Sequence, residues 1–330
     1  MEKKISLNEK ILIAGAKGMV GRATHAKLLE KGYGNKFCDG KIFCPDRHEL
    51  DLANYSNVES WFNLNRPTTV ILAAAKVGGI IANNTMPAEF ILENLKIQTN
   101  VIENSFKYKV KRFLFLGSSC IYPKYAKQPI KEEYLLSGKL EETNQWYAVA
   151  KIAGLKLCES LRIQYGFDAI SLMPTNLYGP FDNYHPIHSH VLPAFIRRFD
   201  KAIKKKENVL ECWGDGSPLR EFLYVEDLAD AIVFLLEKYS PSISEIKKNN
   251  TPLHLNVGSG EEISILELSQ KVAKFTGFKG EVKWNKDKPN GTPRKKIDST
   301  RISNLGWRPK TFLDKGIPMA IEAYRKENYK

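Results

Sequence analysis

The chain has 330 residues, 43% hydrophobic and 26% charged, which is an ordinary soluble composition and enough length for one large or two modest domains. No apolar run approaches the roughly 18 residues of a membrane span, and the polar stretch Met1–Lys10 has no signal-peptide core, so a cytoplasmic protein without a membrane partner is expected. Five widely spaced cysteines, an odd number with no Cys-x-x-Cys pair, argue against a disulfide framework or a structural metal. The net charge of +13 would suit nucleic acid, but the lysines are scattered among acidic residues and the densest run, Lys201–Lys206, reads as a solvated face. No nucleic-acid partner is expected; a small anion such as a nucleotide would profit from the same bias.

In chain order, Lys10–Ala14 reads as a strand and the residues to about Lys31 as a helix, joined by Gly15-Ala16-Lys17-Gly18-Met19-Val20-Gly21. Glycines spaced this way allow a tight strand-to-helix turn and close approach of the backbone to a pyrophosphate at a helix N-terminus. Ile42–Cys44 is a second strand, followed by Asp46 and Arg47. An acid there would bind the adenosine ribose and a base a 2′-phosphate; Lys17 and Arg47 together favour NADP(H). Asp51-Leu52 leads to a helix over Val58–Asn65, Thr69–Ala73 is a third buried strand, and the small residues from Ala74 to Gly79 let a cofactor lie close. A long helix is predicted over Pro87–Tyr108 and a fourth strand over Arg112–Leu116.

Beyond a helix over Tyr147–Tyr165 and a strand over Ala169–Met173, the regular alternation stops. The pattern predicts an α/β fold, a doubly wound parallel sheet over residues 1–178, with a smaller α/β substrate lobe over 179–330 from which some segments return to the sheet. The later chain reads as a polar loop with His185, His188 and His190, a helix over Pro193–Phe199, a loop and short strand around Cys212–Phe222 and a helix over Val225–Lys238. Then come a surface insertion at Ser240–Pro252, a strand over Leu255–Val257 and a helix over Ile265–Phe275.

Two stretches carry chemistry. Continued extension beyond Leu116 would point Ser118 and Cys120 the same way, and Tyr147 and Lys151 share a helix face. An ammonium beside the phenol lowers its pKa, so that Tyr147 serves as acid or base at a carbonyl while Ser118 binds the same oxygen. Tyr-x-x-x-Lys alone occurs by chance on many helices; joined to an upstream Ser and a glycine-rich start it becomes specific.

These motifs, with Gly117-Ser118-Ser119-Cys120-Ile121-Tyr122-Pro123, Pro174-Thr175-Asn176-Leu177-Tyr178-Gly179-Pro180, Asn256-Val257-Gly258-Ser259-Gly260 and the stretch from Lys288 to Lys295, resemble the GDP-L-fucose synthase family of extended short-chain dehydrogenases/reductases. The resemblance runs from about Lys10 into the C-terminal region. It implies a homodimer that epimerises GDP-4-keto-6-deoxy-mannose at C3 and C5 and reduces C4 with NADPH. Ser118, Tyr147 and Lys151 would be its reductase triad, Cys120 and His190 its epimerisation base and acid. The cofactor would lie against Gly15, Lys17, Gly18, Met19, Val20 and Gly21, then Arg47, Asp51, Leu52 and Ala74, and then Leu116, Gly117, Lys151, Pro174, Asn176, Leu177 and His190. Ser119, Asn176, Arg198, Trp213, Arg220 and Asn290 would hold the substrate. Asn290 stands where an acid is expected and Trp146 precedes the tyrosine, which keeps open a 4-reductase of a GDP-4-keto-heptose. A non-catalytic NADP-sensing or nucleic-acid-binding protein is the reading from another class.

Overall fold

The computed structural model describes residues 3–244, 252–288 and 290–328. Its first layer alternates strand and helix: β1 (Lys10–Ala14), α1 (Met19–Glu30), β2 (Lys41–Phe43), α2 (Tyr55–Asn65), β3 (Thr69–Leu72), α3 (Ile80–Thr85), α4 (Pro87–Lys107), β4 (Arg112–Leu116), α5 (Gln145–Tyr165) and β5 (Ala169–Pro174). The later chain adds β6 (Asn176–Tyr178), α6 (Val191–Lys204), β7 (Val209–Trp213), β8 (Leu219–Tyr224), α7 (Val225–Lys238), β9 (His254–Val257), β10 (Glu262–Ser264) and α8 (Ile265–Thr276). It ends with β11 (Glu281–Asn285), β12 (Arg294–Lys295), α9 (Thr300–Asn304) and α10 (Leu313–Asn328).

Six parallel strands run in the order β2-β1-β3-β4-β5-β9. Strand residues alternate between two apolar layers, as the pleat requires. Ile11, Ile13, Leu114 and Leu116 pack with Leu28 of α1 and Ile232 and Leu236 of α7. Leu12, Val70, Phe113 and Phe115 pack on the other face with Phe62 of α2, Val101 of α4 and Leu155 of α5. Full burial of such side chains contributes roughly 1.5–3 kcal/mol each, and burial on both faces explains why these strands are continuous apolar runs. The strand order reverses between β1 and β3, which opens a crevice at the carboxyl ends of those strands. The protein is thus a doubly wound α/β fold, as the alternation predicts.

The second lobe is organised on β8, which pairs with β10, β12 and β6, while β7 and β11 form a separate pair. Its core gathers Tyr178, Ile196, Phe199, Phe222, Leu268 and Ile317. Around Cys212–Phe222, where a loop and one short strand are expected, the structure has two strands, β7 and β8. Short strands at a lobe edge carry too weak a period-two signal to be read from sequence. Residues 245–251 of the expected insertion and Pro289 of the quoted C-terminal stretch lie outside the described residues. The start of that insertion is tied down: Arg162 donates to Ser240 Oγ (3.0 Å) and Pro241 O (2.6 Å), and also pairs with Asp168 at 2.6 Å, which the buried Arg112 engages from the other side.

Candidate active site

The crevice begins at the β1–α1 turn. Gly15 has φ of +95°, and a Cβ there would stand 2.6 Å from the amide of Ala74, at the end of β3. A Cβ on Gly21 would meet Gly15 O at 2.2 Å. Gly15 and Gly21 therefore admit no side chain, and the turn packs its backbone directly against the end of β3 and the start of α1. Helix α1 starts at Met19 and Val20 with no side-chain cap and no acidic residue in its first turn, so its free amides and positive dipole end suit a diphosphate. The charge of Lys17 reaches Cys44 and Asp46 beyond β2, beside the exposed Arg47. Asp46 itself accepts from the amides of His48 (2.9 Å) and Glu49 (3.1 Å), which hold its carboxyl below the usual range.

Other expected cofactor residues line the strand ends in more structural roles. Asp51 accepts from Ala53 N (3.1 Å), Leu52 O accepts from Asn100, and Gly117 N donates to Leu172 O. Pro174 ends β5, Asn176 donates from its side-chain amide to Glu221 O (2.8 Å), and Leu177 packs on the first apolar layer.

Past Leu116 the backbone does not remain extended. Ser119–Ile121 forms a 3-10 turn whose N-cap is Ser118; the Ser118 hydroxyl accepts from Cys120 N at 3.1 Å. Strand alternation is therefore not what brings Ser118 and Cys120 to one site; the capped turn does so. Ser119 is buried within that turn. The Ser118 hydroxyl also hydrogen-bonds the phenol of Tyr147.

The expected depression of the Tyr147 phenol is reversed. Burial, then the nearby Cys120, push it well above its ordinary value, against the smaller effect of the Ser118 bond. Lys151 donates to Leu116 O at 2.8 Å, with its nitrogen 5.8 Å from the Tyr147 ring centre. Burial brings this amine down to about 7. The same loss of hydration disfavours both charges, so the protein alone does not set a full ammonium beside the phenol.

Cys120 Sγ receives Lys295 Nζ at 3.3 Å and Asn144 Nδ2 at 3.5 Å. His190 is the N-cap residue of α6, open to solvent on one side; loss of hydration on the other, then the Lys295 charge, hold its imidazole below the ordinary value. His185 and His188 do not join it. Their rings stack at 4.5 Å, and His185 Nδ1 accepts from the amides of Ile187 and His188, so the pair shapes its own loop. Lys295 and Asn144 escape sequence reasoning because their contact partner is remote: Lys295 lies 175 positions from Cys120.

The expected substrate residues extend from this cluster into the second lobe. Arg220, buried enough to lower its guanidinium, feels the Cys120 charge and is in register with Lys295 across β8 and β12. Trp213 is half exposed at the end of β7, with Lys288 over its ring at 5.7 Å. Asn290 accepts from Asp215 N (2.9 Å), which places it against the turn after Trp213. Arg198 on α6 donates to Glu211 O of β7 and lines a shallow basic pocket with Arg197, Lys201 and Lys205.

The model of the NAD dependent epimerase/dehydratase family matches residues 11–258. GDP-L-fucose synthase 1 of Arabidopsis thaliana is 53% identical over 317 residues, 96% of this chain and 93% of that protein. GDP-L-fucose synthase of Escherichia coli strain K12 is 48% identical over 312 residues, 94% of each chain. Among solved structures, a GDP-mannoheptose C4 reductase from Campylobacter jejuni with NADP bound superposes with a TM-score of 0.86 at 37% identity, over 97% of this chain and 99% of that one. The tight glycine turn and the uncapped helix end fit a nicotinamide dinucleotide, the cofactor type of this family. The chain belongs to the NAD-dependent epimerase/dehydratase family and, within it, to the GDP-L-fucose synthases.

Proposed function

We propose that the protein converts GDP-4-keto-6-deoxy-D-mannose to GDP-L-fucose, by epimerisation at C3 and C5 and NADPH-dependent reduction at C4. The observation that carries this reading is that two sets of groups meet at one phenol: Ser118 bonds the Tyr147 phenol, and Cys120 acts on that same phenol while holding Lys295. Protons next to a ketone are acidic enough for Cys120 to remove one and His190 to return one. Ser118 and Tyr147 hydrogen-bond the C4 oxygen while it carries enolate charge. The bound nicotinamide supplies hydride to C4. Burial keeps Tyr147 protonated at neutral pH, the form in which it donates to the C4 oxygen.

Preference for NADP(H) follows from Asp46: its carboxylate is taken by loop amides, while Lys17 and Arg47 stand ready for a 2′-phosphate. The lobe beyond residue 178 holds the GDP, with Arg198 and Arg220 on anionic groups, Trp213 against a ring face and Asn290 at the nucleoside end. A homodimer through α4 and α5 is consistent with Leu92, Val149, Ile163 and Tyr165, apolar side chains exposed on those helices; light scattering tests it.

The deciding experiment is incubation with NADPH and the keto-sugar in heavy water. GDP-fucose carrying deuterium at C3 and C5, with matching NADPH loss, is expected. A reduced product without deuterium, or turnover only when a GDP-4-keto-heptose is supplied, overturns the reading.

A further inference from the structure

The Cys120 sulfur is met by two nitrogen donors, an unusual environment for a neutral thiol, which is a weak acceptor. Lys295 reaches it from β12, a strand of two residues that is nonetheless closely held. The Lys296 amide donates to Gln128 Oε1 (2.9 Å), Ile130 N donates to Lys296 O (2.8 Å), and Ile297 N donates to the buried carboxylate of Glu221 (3.0 Å). Asn256 ties this strand to the catalytic turn. Its side-chain amide donates to Ile130 O (2.9 Å) and Asp298 O (3.2 Å), and its side-chain oxygen accepts from the Tyr122 hydroxyl (2.6 Å), two residues past Cys120. The contact between ammonium and sulfur is therefore built by the fold rather than by a wandering surface lysine.

Among the described residues, Lys295 makes no ion pair with a carboxylate, and its recorded hydrogen-bond partner is the sulfur. We propose that Lys295 is the counter-cation that holds Cys120 as a thiolate, with Asn144 as its second donor, and thereby makes Cys120 the base for proton exchange in this site. The thiolate, not the thiol, is the basic form, and an ammonium in contact with sulfur favours it. Burial first, and then the same charge, lower His190, which makes its protonated form the readier acid for returning a proton. Arg220 adds to the positive side. This inference rests on the proposed role of Cys120 in epimerisation, and its test is arranged to separate the two.

The full chain, without substrate, is treated with iodoacetamide at pH 7 and alkylation is followed by mass spectrometry of the Cys120 peptide, with Cys38 as internal reference. Lys295→Gln slows Cys120 alkylation about tenfold, the effect of losing one ammonium contact at a partly buried site, and Lys295→Arg restores most of it. Deuterium exchange into the keto-sugar falls and recovers in parallel. Asn144→Asp, which sets a carboxylate against the sulfur, provides an independent variant should Lys295→Gln lose its fold, and it also slows alkylation. Unchanged alkylation in both variants, with only a raised KM in Lys295→Gln, overturns the proposal and makes Lys295 a substrate contact. Slowed alkylation with normal exchange in Cys120→Ser leaves the ion pair standing and overturns the assignment of Cys120 as the base.

Discussion

Ser118, Tyr147 and Lys151 stand on two elements that follow one another in the chain, the turn after β4 and the helix α5, both built on the same sheet. Cys120, His190 and Lys295 come from three segments, of which α6 and β12 belong to the second lobe. The proposed reduction set is therefore rigid within one layer, whereas the proposed exchange set exists only when the two lobes are held together. The joining groups are specific: Asn256, Glu221 and Tyr122, all buried, tie the catalytic turn to the C-terminal strand. A chemistry that needs groups on both faces of a sugar gains from a seam; a chemistry at one carbonyl can be housed on one sheet.

The sharpest way to break this comparison is Tyr147→Phe. Loss of the proton donor should cut NADPH oxidation about a thousandfold, while deuterium exchange at C3 and C5, which retains Ser118 as an enolate donor, falls only about tenfold. Equal losses in both would mean that the two sets do not work separately. Next in size is Cys120→Ser, expected to lower exchange about a hundredfold while leaving NADPH binding, read by fluorescence, intact. Lost cofactor binding would show that the thiol supports the reductase half structurally.

A third test concerns the buried amine. An unfolded lysine keeps its proton up to about 10.5, whereas Lys151 in the fold loses it at about 7, so folding releases a proton between those values. Stability consequently rises with pH across that window, by up to about 1.4 kcal/mol per pH unit. The raised Tyr147 acts with opposite sign above pH 10, the buried thiols of Cys158 and Cys212 from about pH 9, and the raised Asp182 up to about pH 7. Denaturant melts between about pH 7.5 and 8.5, compared with those of a variant lacking the amine, therefore give the lysine's share. Lys151→Met should flatten the slope, and an unchanged slope would mean that the amine is charged in the fold. The smallest effect belongs to the second lobe alone. Ser264 and Glu267 form a reciprocal cap at the start of α8, and Ser264→Ala should cost about 1 kcal/mol of stability without altering the ratio of exchange to reduction. A changed ratio would mean that the seam senses strain at the lobe edge.

Most of the first layer is legible in the chain. The apolar runs that become β1, β3, β4 and β5 are buried on both faces, and Gly15 after β1 and Gly21 in the first turn of α1 stand where no side chain fits. Even there two readings fail. Ser118 caps a turn instead of continuing a strand, because its hydroxyl competes for the Cys120 amide. Tyr147 is raised instead of lowered, because burial acts on the phenol and on Lys151 alike.

The sequence by itself determined the doubly wound sheet, the cofactor turn and the pairing of Tyr147 with Lys151, since each depends on residues a few positions apart whose spacing matches a strand, a turn or a helix face. Only the tertiary structure decided that Lys295 meets Cys120 and that His190 stands beside them while His185 and His188 do not. Those outcomes depend on strand pairing and burial between distant segments, which local spacing does not encode.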